Sequence, residues 1–155
     1  MDAGTAGFEE YLDQVSKRRA ELRASLSAVE HALAAPATGR VGPWAERVHA
    51  ALAELSADFA EHVRITEGDE GLYTKVLRAE PRMVGAVRRL TTEHAGLTRA
   101  IGELLTRFDA GLAEPDQVTG ARTRGTQLLG ALVRHRQAGS DLVYEAYAVD
   151  IGGSD

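Results

Sequence analysis

The chain has 155 residues, a formal net charge of −5, 44% hydrophobic and 26% charged residues, and no cysteine. That length supports one domain with its own core. The acidic balance argues against nucleic acid as a partner, since a phosphate backbone calls for a basic patch, and the absent cysteines remove disulfides, thiolate metal sites and thiol nucleophiles.

Aromatic residues make up only 5%, and β-branched residues never fall in alternating runs, so helices are expected rather than strands. The first apolar stripe runs through Phe8, Leu12, Val15, Arg19, Leu22, Leu26, Val29 and Leu33, and it stops at the breakers of "APATGRVGP". A second follows Pro43 through Trp44, Val48, Leu52, Leu55, Phe59, His62 and Thr66, with Gly68 as terminator. "GDEGLYTKVLRAEP" is mixed in character, with a short helical turn expected around Leu72 to Leu77. Pro81 suits the start of a third helix with the stripe Met83, Val87, Leu90, His94, Leu97, Ile101, Leu104 and Phe108. The fourth opens near Pro115 and carries Val118, Ala121, Gly125, Leu128, Leu132, His135, Gly139, Leu142 and Ala146.

The expected helices therefore span about 8–34, 44–67, 81–109 and 115–148, followed by a short non-helical tail, "VDIGGSD". Four amphipathic helices with mostly short connections imply an all-α, antiparallel up-down-up-down four-helix bundle forming a single domain. No apolar run approaches membrane-spanning length, and the acidic start "MDAGTAGFEEYLDQ" does not read as a signal peptide, so a cytoplasmic protein is expected. The one dense basic run, Lys17 to Arg19, reads as ordinary solvated helix.

Of the five histidines, His62, His94 and His135 fall on the apolar stripes of the second, third and fourth helices. His49 is turned by roughly 220° from His62, and His31 lies opposite its own stripe, so both read as surface residues. Counted along the bundle, the three inward histidines fall within a slab roughly 8 Å thick. A single inward histidine is most often a hydrogen-bonded core residue. Three from three helices at one level make a candidate site for iron, zinc or another transition metal, with a position left open for a small ligand.

The stretches "FAEHVRITEGDEGLY", "LTTEHAGL" and "LVRHRQAGSDLVYEAY" resemble those of the hemerythrin-like, or HHE cation-binding, family of bacterial proteins, over almost the whole chain. The resemblance implies a hemerythrin-like bundle with iron at its centre, His62, His94 and His135 as ligands, and a diatomic molecule or peroxide as ligand. Ferritin-like Glu-x-x-His pairs are missing: three residues before these histidines stand Phe59, Thr91 and Leu132.

The chain also departs from the family pattern. The carboxylate positions four residues after His62 and His135 hold Thr66 and Gly139, and Arg19 lies on the inward face of the first helix. Neutral imidazoles cannot balance two divalent ions in a low-dielectric core, which argues against a conventional diiron centre. Glu67 and Asp141, about 140° and 120° from their histidines, are candidate replacement ligands if Gly68 and Gly139 distort the helices. Tyr73, Tyr144 and Tyr147 could supply a phenol, and Arg19 could instead pair with Glu67 or Asp141 and fill the cavity. The reading is thus a metal-binding protein with an altered, carboxylate-poor histidine centre. The alternative is a metal-free bundle of the same fold, acting through protein partners or as a homodimer. No motif points to catalysis.

Overall fold

A computed structural model of the chain describes residues 2–152, with side chains from 10 to 147. Among the described residues the structure is helical and contains no strand. The order is α1 (Asp2–Ala34), α2 (Val41–Glu67), α3 (Leu72–Ala79), a 3₁₀ turn (Pro81–Met83), α4 (Val84–Asp109) and α5 (Pro115–Gly152). The four long helices form a bundle in which α1 packs on α2, α2 on α4, α4 on α5 and α5 on α1.

The ends of the helices follow local chemistry. α1 stops short of Pro36, and Gly39 (φ +71°) takes the left-handed turn that a side chain would resist. α2 begins at Val41, ahead of the expected Trp44, because Pro43 sits in the first turn, where its missing N–H costs nothing. The orphan carbonyls at the end of α1 find a partner across the bundle. Arg122 on α5 donates from Nε to Leu33 O at 2.8 Å and from Nη2 to Ala35 O at 2.7 Å.

Three further boundaries differ from the sequence expectation. α1 already runs from Asp2, where an alanine- and glycine-rich segment shows no apolar stripe to announce it. Pro81 opens a separate 3₁₀ turn, and α4 itself starts at Val84. The expected non-helical tail is helical through Gly152, since glycine weakens a helix without ending it, and residues 153–155 lie outside the described part.

Two apolar clusters fill the bundle. The larger is built on Val29, Trp44, Val48, Leu52, Phe59, Ile101 and Leu132, and the smaller gathers Leu72, Tyr73, Val76, Val87, Leu90 and Leu142 around α3. His94 lies between Leu90 and Leu97 on its stripe, and His135 between Leu132 and Leu142, so the imidazoles form a polar layer between the two clusters.

The position of α3 depends on Gly71. A Cβ there would stand 2.5 Å from Ile65 O and 2.8 Å from the carbonyl oxygens of Thr66 and Gly68. Gly71→Ala is expected to lower stability by about 1–3 kcal/mol by overpacking rigid backbone. Gly102→Ala, whose Cβ meets nothing within 4 Å inside α4, is expected to raise it by about 0.5–1 kcal/mol. Urea unfolding of the two variants beside the parent measures both.

Candidate metal centre

His62 on α2, His94 on α4 and His135 on α5 each present one ring nitrogen, and these three nitrogens lie within 4.8 Å of one another. Ring centroids are 5.1 Å apart for His62 and His94, 5.5 Å for His62 and His135, and 4.8 Å for His94 and His135. His94 is 1% exposed and His135 4%. Phe59, fully buried, lies against all three rings at 5.5–6.0 Å and gives the layer an apolar floor. His31 is exposed, and His49 Nε2 meets Asp109 Oδ1 at 2.6 Å far from this layer, as their angles on the helices imply.

Two carboxylates set the rings. Glu67 Oε2 accepts from His94 Nδ1 at 2.5 Å, and Glu93 Oε1 accepts from His135 Nδ1 at 2.7 Å. An ionised carboxylate can only accept, so each Nδ1 carries a proton, and in a neutral ring Nε2 then keeps its lone pair. The Tyr73 hydroxyl, 3.2 Å from His94 Nε2, donates to that lone pair, and its ring stacks on the imidazole. His62 Nε2 is buried and, among the described residues, has no hydrogen-bond partner. An unpaired buried polar atom costs roughly 1–3 kcal/mol, so this nitrogen calls for a ligand.

Several residues singled out in the sequence take other places. Glu67 does not replace the missing ligand at Thr66; it grips the outer nitrogen of His94. Asp141 is exposed on a helix that stays regular past Gly139, and it accepts from Gln137 Nε2 at 2.9 Å. Thr66 turns its hydroxyl to His62 O, 2.8 Å away along its own helix. Tyr144 is 74% exposed. Arg19 is half-buried and donates to Ser140 Oγ at 3.4 Å, and it pairs with neither Glu67 nor Asp141.

Glu93 was not legible as a site residue. It directly precedes His94, about 100° from it on the helix, and a stripe count on α4 alone gives no hint that it faces α5.

The donor set fits a single divalent transition-metal ion. Neutral imidazoles suit such ions, and carboxylates on their outer nitrogens are the usual means of orienting them. Glu67 and Glu93 together carry the charge that balances one divalent cation. To share one ion the three nitrogens, now within 4.8 Å of one another, would draw closer together. Side-chain torsions can supply that.

Burial, followed by the neighbouring His94 and His135 and then Arg19, lowers the His62 pKa to about 3. His94 is also held below the usual histidine range, by burial first and against the pull of Glu67. Both rings are therefore neutral near pH 7 and need not lose a proton to accept a metal. In the metal-free state the same shifts tie stability to pH. The unfolded histidine binds a proton below its ordinary pKa of about 6.5, whereas folded His62 resists it down to about 3. Its contribution is thus complete above pH 6.5 and is lost as pH falls toward 3, at up to about 1.4 kcal/mol per pH unit. Urea midpoints between pH 7 and pH 4 are expected to fall along this slope, and His62→Phe to flatten it. Comparison with protein-family models, characterised proteins and solved structures finds no match to this chain.

Proposed function

We propose that the chain is a hemerythrin-like, antiparallel up-down-up-down bundle that binds one transition-metal ion, iron or zinc, through His62, His94 and His135. The observation that carries this reading is the histidine layer itself, in which three ring nitrogens converge and, among the described residues, His62 Nε2 has no hydrogen-bond partner. The antiparallel arrangement is supported by the order of the cross-helix contacts. Arg18, Ser25 and Leu33 on α1 meet Glu61, Asp58 and Trp44 on α2, and Trp44 and Phe59 on α2 meet Phe108 and His94 on α4.

In this reading His62, His94 and His135 hold the ion, and Glu67 and Glu93 fix the tautomers of two ligands. Tyr73, buried in the α3 cluster, covers the site as a hydrogen-bond donor to His94. The ion would supply a Lewis-acidic position for a small ligand, suited to binding, redox or sensing. A bundle that works without metal, through protein partners or as a homodimer, is favoured by one observation: the charge of Arg19 acts on His62 and raises the cost of a cation beside it.

Elemental analysis of chain purified without chelator, and again after loading with iron or zinc, tests the proposal. About one metal per chain is expected. Protein that holds no metal before or after loading overturns the reading and leaves the metal-free bundle. His94→Ala should abolish binding with the helical circular dichroism intact. Glu93→Gln, which keeps the hydrogen bond but loses the charge, should weaken affinity by roughly 10–100-fold, the usual effect of removing an outer-sphere partner.

A further inference from the structure

Beside the histidine layer, on its α1 and α5 side, lies a cavity of about 40 Å³. Arg19, Arg136, His62, Tyr73 and Gly139 are among the residues that line it. Arg19 and Arg136 are both half-buried, and Arg136 lies close enough to oppose the charge of Arg19. Among the described residues neither makes an ion pair. The carboxylates nearest the site, Glu67 and Glu93, are committed to the outer nitrogens of His94 and His135. Arg19 spends one N–H on Ser140 Oγ, and the rest of its guanidinium fork remains.

Two partly desolvated cations facing one small space without a counter-charge are costly, and an anion between them removes the cost. The planar fork of arginine matches a planar oxyanion with two parallel hydrogen bonds. Size narrows the choice further. One water needs roughly 10–15 Å³ in this measure, so the cavity admits an anion of three or four heavy atoms.

Gly139 keeps this space open. It stands one turn beyond His135 on the same face of α5, and a Cβ built there meets nothing within 4 Å. The glycine that removes the family's carboxylate position thus makes room for an external one.

We propose that this cavity is a binding site for a small planar oxyanion, of the size of nitrite or bicarbonate, held by Arg19 and Arg136 against the face of the histidine layer. The site is set by guanidinium groups and does not depend on a bound metal, although an anion held there stands where it could also reach one.

Calorimetric titration of the full chain with sodium nitrite in chloride-free buffer tests this, with protein as purified and after chelation. Saturable binding of one nitrite per chain is expected in both samples. Arg19→Gln should weaken it roughly tenfold or more, the loss of a charge-assisted hydrogen bond. Gly139→Val should weaken it comparably by occupying the space while leaving both charges in place. Sulfate, larger and tetrahedral, should not compete. Binding that is absent from the chelated sample, or unchanged in Arg19→Gln and Gly139→Val, overturns the proposal. Because the chelated sample is read separately, nitrite bound only when metal is present would sink the guanidinium site and leave the metal reading standing.

Discussion

An imidazole placed inside an apolar bundle brings two ring nitrogens that must each find a partner, and it must stay uncharged to remain there. This chain brings three of them to one level, His94 and His135 buried and His62 half-buried, and meets their needs unevenly. Glu67 and Glu93 take the outer nitrogens of His94 and His135, Tyr73 covers the inner nitrogen of His94, and His62 Nε2 has no partner among the described residues. The surroundings follow from that requirement. Phe59 closes the floor, the α3 cluster closes the roof, and Gly71 allows the tight approach that brings Tyr73 in.

The same layer explains where charge sits. The carboxylates stay outside the ring of nitrogens, where they orient the imidazoles without occupying the centre, and this distinguishes the site from one bridged by carboxylates. Arg19 and Arg136 line the cavity that Gly139 leaves open. Burial, followed by the neighbouring His94 and His135 and the charge of Arg19, keeps His62 neutral, while Glu67 pulls His94 the other way against its burial. A cation at the centre and an anion on the flank would each offset the field that the other meets.

Much of the bundle could be read from periodicity, because the stripes of α2, α4 and α5 are long and their histidines fall on them in register. The level of the three histidines followed from helix rise alone. Partnerships across helices were harder to see. Glu67 looked like a displaced metal ligand because angle on one helix does not show that His94 stands opposite, and Glu93 lies off its own stripe. Asp141 needed a bulge at Gly139, yet α5 stays regular there because an open-sided glycine does not force one. The helix before Phe8 and the 3₁₀ turn at Pro81 lack an apolar repeat, so pattern could not place them.

The central claim is that the three imidazoles, with His62 and His94 neutral, present their converging ring nitrogens to one metal ion. Long-range ¹⁵N–¹H correlation spectra of the imidazole rings, recorded near pH 7 before and after adding zinc, test it most directly. The account expects neutral His62 and His94 rings, a proton on Nδ1 of His94 and of His135, and a joint shift of the ring-nitrogen signals of all three histidines on zinc addition. A protonated His62 or His94, a His94 or His135 ring without its Nδ1 proton, or zinc shifts confined to other histidines would contradict it.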